Sequence, residues 1–132
     1  MAERVDRALV ERWVAGYLRA WRTPGTEALD ELFTPDATYL PSPWATVERG
    51  RDGLAAFWDG ERDGPDEEFT FAHEVVAVDP EAATAVVRAE VAYAGSSNGT
   101  WRDLWVIRFA DDGRCAAFEE WPFSPRQPDG HG

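Results

Sequence analysis

The chain has 132 residues, 44% of them apolar and seven of them tryptophan, which suits one folded domain with a sizeable core and excludes a disordered chain. Twenty-five acidic residues stand against thirteen basic ones, all arginine, and the resulting formal charge of −12 repels nucleic acid and anionic membrane surfaces. No apolar run approaches the ~18 residues of a membrane-spanning helix. The lone Cys115 excludes an internal disulfide and, with the charged start Met1-Ala2-Glu3-Arg4, leads us to expect a cytoplasmic protein.

Residues 3–22 read as a helix, with Val5, Leu9, Trp13, Tyr17 and Trp21 recurring every four positions. Thr23-Pro24-Gly25 ends it. Thr26 is the expected cap of a short second helix carrying Leu29, Leu32 and Phe33 on one face. Thr34-Pro35-Asp36 reads as a turn and residues 37–40 as a short strand, closed by Pro41-Ser42-Pro43, so that Trp44 sits on a loop. Gly50-Arg51-Asp52 opens a third helix with Leu54, Phe57 and Trp58 on a shared face. The acidic, Gly- and Pro-broken stretch from Asp59 to Glu68 reads as a solvated loop.

Four strands follow. The first, residues 69–78, has Phe69, Phe71, His73 and Val75 on one face. In the second, residues 83–93, Val87, Ala89, Val91 and Tyr93 form the more apolar face, which leaves Arg88 and Glu90 as an outward-facing pair. A loop at Gly95-Ser96-Ser97-Asn98-Gly99 leads to residues 101–109. There Trp101, Asp103, Trp105, Ile107 and Phe109 alternate with Arg102, Leu104, Val106 and Arg108. Asp103 is the one charge on the apolar face, and a buried charge requires a polar partner. Asp111-Asp112-Gly113 is a hairpin turn, and the last strand covers roughly 115–123. A two-residue turn at Asp112-Gly113 places Glu120 opposite Trp105 and on the face of Asp103, whereas a three-residue turn places Glu119 there. The two-residue reading is preferred. Residues 1–123 thus form a single α+β domain, three N-terminal helices packed on a curved, mostly antiparallel β-sheet, and 124–132 a polar, flexible tail.

The ordered set Tyr17-Leu18-Arg19-Ala20-Trp21, Leu32-Phe33-Thr34-Pro35-Asp36-Ala37-Thr38-Tyr39, Arg49-Gly50-Arg51-Asp52, Arg102-Asp103-Leu104-Trp105, Arg108-Phe109, Asp112-Gly113-Arg114 and Phe118-Glu119-Glu120-Trp121 resembles the SnoaL-like branch of the NTF2-like superfamily. The resemblance implies a cone with a cavity at its open end, a homodimer formed through the outer sheet face, and a small hydrophobic molecule as ligand. It also implies that Glu120, seven positions after the hairpin glycine, falls where limonene epoxide hydrolases and SnoaL-like cyclases place a pocket carboxylate. Arg88, Glu90 and Glu120 follow the order of the epoxide-hydrolase triad, but with Glu where that family uses Asp. Tyr17 falls where ketosteroid isomerases carry an oxyanion-hole tyrosine. Their catalytic Asp has no counterpart in Leu40-Pro41-Ser42, however, and Trp105 stands near their second oxyanion acid.

The candidate catalytic residues are therefore Asp103, Glu120 and His73. A carboxyl among aromatic rings has its charged form disfavoured, which suits acid–base chemistry near neutral pH, and histidine is the usual proton shuttle there. Tyr17, Trp21, Tyr39, Trp44, Trp58, Trp101 and Trp105 are the candidate ligand-binding aromatics, apolar bodies with polar handles. His73 and His131 lack metal-ligand spacing, and no phosphate loop or dinucleotide fingerprint is present, so no metal or cofactor is expected. Two classes of function remain: a cyclase, isomerase, hydratase or epoxide hydrolase acting on a hydrophobic or aromatic metabolite, and a non-catalytic ligand-binding or dimerisation module.

Overall fold

A computed structural model describes residues 4–61, 68–94 and 99–125. The parts of the acidic stretch at 62–67, the loop at 95–98 and the tail from 126 onward, His131 included, lie outside the described residues. Helices α1 (Arg7–Trp21), α2 (Leu29–Leu32) and α3 (Gly50–Glu61) pack on one face of a six-stranded sheet. Its strands are β1 (Phe33–Leu40), β2 (Glu48–Arg49), β3 (Phe69–Asp79), β4 (Thr84–Tyr93), β5 (Thr100–Phe109) and β6 (Cys115–Phe123). Their order across the sheet is β2-β1-β6-β5-β4-β3, with β1 parallel to β6 and every other pair antiparallel. No helix among the described residues is long and apolar enough to cross a membrane.

Helix α1 starts later than its apolar spacing predicts, because Asp6 caps it by accepting the Leu9 amide at 2.9 Å. Leu9, Val10, Trp13, Val14 and Tyr17 are buried as the spacing requires. Burying each such side chain contributes roughly 1.5–3 kcal/mol. Trp13 anchors the helix twice. Its Nε1–H donates to the Leu32 carbonyl at 2.9 Å, and its ring packs on Phe118 of β6 at 5.9 Å. Thr26 is not the cap of α2: Ala28 holds that position without a side-chain bond, and the Thr26 carbonyl accepts from Leu29 and Arg51. The expected turn at Thr34-Pro35-Asp36 lies inside β1. That strand already pairs with β6 at Phe33, and the three residues form an irregularity between Phe33 and Thr38. Pro35, lacking an amide donor, is tolerated in such a break.

The hairpin joining β5 to β6 has a three-residue turn, not the two-residue turn expected. The Ala110 amide donates to the Arg114 carbonyl, the Gly113 amide donates back to Ala110, and Gly113 takes φ of 86°, which favours glycine. One strand residue later the ladder absorbs an extra residue. Phe109 pairs with Cys115 and Arg108 with Ala117, so Ala116 is bulged out. The bulge returns the ladder to the register of a two-residue turn: Trp105 lies opposite Glu120 and Asp103 opposite Pro122. The expected pairing is reached by a different route.

Candidate functional site

One end of the sheet stays open where α1 and α3 diverge from it. The inward faces of the strands supply its walls: Phe69 and Phe71 from the start of β3, Val91 and Tyr93 from the end of β4, Trp101, Asp103 and Trp105 from β5, and Glu120 and Pro122 from β6. Helix α1 contributes Tyr17, Leu18 and Trp21, β1 contributes Tyr39, and α3 contributes Phe57 and Glu61. Together they enclose a cavity of about 430 Å³, large enough for a small organic molecule.

Asp103 is buried, 7% exposed, the one charged side chain among the fully buried described residues. Glu120 faces it from the neighbouring strand, and each carboxyl bears on the other's protonation. Burial raises both above their ordinary ranges. The interaction between them lowers Asp103 against that effect and raises Glu120 further. Burial thus holds both carboxyls toward their protonated forms, and the two titrate as one pair. The nearby charge of Glu61 also raises Glu120. The Tyr39 hydroxyl donates to Glu120 Oε1 at 3.3 Å, and the hydroxyls of Tyr39 and Tyr17 lie 3.1 Å apart. Burial pushes both tyrosines well above the ordinary phenol range, so they remain neutral donors. A continuous polar line, Tyr17–Tyr39–Glu120–Asp103, thus crosses an aromatic floor. At its end Asp103 Oδ1 and the Trp105 Nε1–H make no hydrogen bond among the described residues. The Trp105 side chain lowers Asp103 against the larger effect of burial.

Five of the seven candidate aromatics line the cavity: Tyr17, Trp21, Tyr39, Trp101 and Trp105. Two do not. Trp44 is 98% exposed on the 41–47 loop, with no element above it. Trp58 is buried behind the wall, edge-on to Tyr17 at 5.2 Å and Trp21 at 4.8 Å, and fills core. His73 is displaced from the carboxyl pair. It lies on the inward face of β3 but beyond the cavity, beside α1, with Nε2 3.0 Å from Glu11 Oε1. Arg88 and Glu90 point outward as the apolar alternation requires: Arg88 bonds Glu74 at 2.5 Å and Glu90 lies 3.9 Å from Arg102. No Arg–acid–acid triad assembles around Glu120.

Sequence reasoning missed Phe57, Phe71, Tyr93 and Glu61 as lining residues. Glu61 was assigned to a solvated loop, but α3 continues through it, and four-residue spacing puts it above Phe57. Among the described residues no group of three or more His, Cys, Asp or Glu has metal-binding placement.

A model of the SnoaL-like domain matches residues 14–118. Among solved structures, the epoxide hydrolase/cyclase-like enzyme SalBIII, which has a role in pyran ring formation in the polyether salinomycin, is similar at 16% identity and a TM-score of 0.68, over 89% of this chain and 93% of that one. A protein of unknown function with a cystatin-like fold from Methylobium petroleophilum PM1 is similar at 18% identity and a TM-score of 0.70, over 93% of this chain and 81% of that one. A steroid delta-isomerase from Pseudomonas aeruginosa is similar at 17% identity and a TM-score of 0.64, over 92% and 84% of the two chains. At these identities the likeness shows the cystatin-like, NTF2-like fold alone. Among curated proteins nothing matches the chain.

Proposed function

The chain belongs to the SnoaL-like domain family, and from that premise we propose that it is an acid–base enzyme that opens or cyclises a hydrophobic small molecule without a cofactor, using Asp103 and Glu120 as base and acid. The observation that carries this reading is the pair of carboxyls, Asp103 and Glu120, side by side on adjacent strands at the floor of the aromatic cavity. The reaction class that uses both members at once is opening of an epoxide by a hydroxyl or a water. Asp103 takes the proton of the attacking oxygen as its bond to carbon forms. The carbon–oxygen bond of the epoxide breaks, and the departing oxygen takes the proton of Glu120. The proton then returns from Asp103 to Glu120 along their own hydrogen bond, and the site is reset. Tyr39, donating to Glu120, stabilises its ionised form at the midpoint of that cycle. The role of the epoxide hydrolase/cyclase-like enzyme SalBIII in pyran ring formation supports this reading.

The test is a panel of aryl and terpenoid epoxides and epoxy alcohols, with products resolved by chiral chromatography. Turnover is expected, reduced at least ~100-fold in Glu120→Gln and Asp103→Asn, the low end of general acid–base effects. Binding of these compounds without turnover by the unaltered protein would refute catalysis and leave a ligand-binding module. The outer sheet face carries Leu104 beside Trp121, with Phe123 and Val76, each 39–45% exposed. It supports a homodimer in either case, measured as a mass of two chains by light scattering.

A further inference from the structure

The charge on the cavity wall has a consequence for the ligand. Three carboxyls line it, Glu61, Asp103 and Glu120, and no Arg, Lys or His does so among the described residues. Asp103 and Glu120 stand side by side on adjacent strands at the floor, and Asp103 Oδ1, on a side chain 7% exposed, makes no hydrogen bond among the described residues. Around them stand the rings of Trp21, Phe69, Phe71, Tyr93, Trp101 and Trp105. Aromatic faces attract cations and offer an anion nothing. The wall already shows the preference. Arg22, outside the cavity, sets its guanidinium 4.4 Å from the centre of the Phe69 ring and donates to the Phe69 carbonyl.

We propose that the substrate carries a single positive charge, an alkylated or protonated amine, held by the aromatic wall between Glu61 at the mouth and the Asp103–Glu120 pair at the floor. The proposal rests on the cavity being the substrate site and extends that reading to the substrate's charge. A monocation offsets the negative charge of Asp103 once it is ionised, in a cavity with no positive group among the described residues. An anionic substrate would face three carboxyls, and a neutral one would leave their negative charge without a counterion in the cavity. The other hydroxyls that line the cavity, those of Tyr17, Tyr39, Ser42 and Tyr93, add no positive charge to oppose an ammonium.

The experiment compares phenyltrimethylammonium with tert-butylbenzene, which has the same shape with carbon in place of nitrogen, by tryptophan fluorescence titration of the full chain at pH 7. A merely apolar cavity would take the hydrocarbon in preference, because it leaves water more readily than the ammonium. The expected result is an ammonium Kd about tenfold or more below that of the hydrocarbon. Asp103→Asn is expected to raise the ammonium Kd on the order of tenfold. Glu61→Gln, an exposed change that the fold tolerates, raises it about threefold. Both leave the hydrocarbon Kd in place. Equal or tighter binding of the hydrocarbon, failure of the ammonium to bind, or a preference that Glu61→Gln and Asp103→Asn both leave intact would overturn the proposal. Neither probe is a substrate, so turnover of neutral epoxides by a protein that prefers tert-butylbenzene would reject the cationic substrate and retain the acid–base role.

Discussion

Replacing Glu120 by Gln isolates the energetics of the carboxyl pair. The amide keeps the side chain's shape, can accept from Tyr39 at the same oxygen and can donate to Asp103. What it removes is a titration. Burial, and then the hydrogen bond and charge of Asp103, hold the Glu120 carboxyl well above its ordinary value of 4.5. Between 4.5 and that raised value the folded chain therefore holds a proton that the unfolded chain has lost. Stability must fall as pH rises through this window, and it levels off above it. One proton of difference corresponds to about 1.4 kcal/mol per pH unit. For a chain of this length each kcal/mol moves the melting temperature by about 3–5 °C, so the slope attributable to Glu120 is about 4–7 °C per pH unit. The assay is a set of thermal melts of both proteins from pH 4.5 upward, read as the difference between the two curves. The net charge of −12 and exposed groups such as Asp112 act on both chains and cancel. The variant should match the unaltered protein near pH 4.5 and exceed it increasingly above. Parallel curves would refute a buried, protonated Glu120, and with it the assignment of this residue as acid.

Tyr39→Phe strands the buried Tyr17 hydroxyl and should cost about 1–3 kcal/mol in urea unfolding. Because the Tyr39 hydrogen bond lowers Glu120, its loss should also move the Glu120 titration to higher pH. Trp44→Ser should change stability by less than about 0.5 kcal/mol and leave probe binding in the cavity unaltered, since that side chain touches solvent alone. Deleting Ala116 should leave Glu120 opposite Trp105, detected by cross-strand nuclear Overhauser contacts, because the deletion removes the residue the ladder already excludes. Loss of those contacts would show that Ala116 is not the extra residue.

Two-residue alternation made the face of each strand legible, since it is a property of neighbouring side chains and needs no knowledge of what covers them. It separated Asp103 from Arg102 and Leu104, and it turned Arg88 and Glu90 outward against their resemblance to a catalytic triad. The β6 boundaries were legible for the same reason, with a tight turn before them and Pro125 after. Position along an inward face was not legible. His73 shares the face of Phe71, but α1 crosses β3 at that point, and Glu11 takes the imidazole before the cavity begins. Trp58 shares the buried face of α3 with Leu54, but helical spacing does not say whether a ring forms the wall or backs it. Glu61 was hidden by composition. Its acidic, Gly-rich neighbourhood reads as loop, although Phe57 four residues earlier marks the face it shares.

The carboxyl pair itself depends on two one-residue effects that cancel. A three-residue turn shifts β6 by one position relative to a two-residue turn, and in a strand one position exchanges the faces. Left alone, the observed turn would put Glu119 opposite Trp105 and leave Asp103 buried without a carboxyl partner. The bulge at Ala116 shifts the ladder back. Glu119 then faces outward, where it accepts from the Trp121 indole at 2.5 Å, and Glu120 faces Asp103. Turn chemistry is written in Asp111-Asp112-Gly113, but the bulge falls on an alanine between Cys115 and Ala117, where no residue type announces it. What selects it is burial on both sides. Cys115 and Phe118 are each almost fully enclosed, and with three residues of spacing they occupy the same face only if one residue between them is extra. The apolar core therefore sets the register that brings the two acids together, and it does so more firmly than the turn that first appears to decide it.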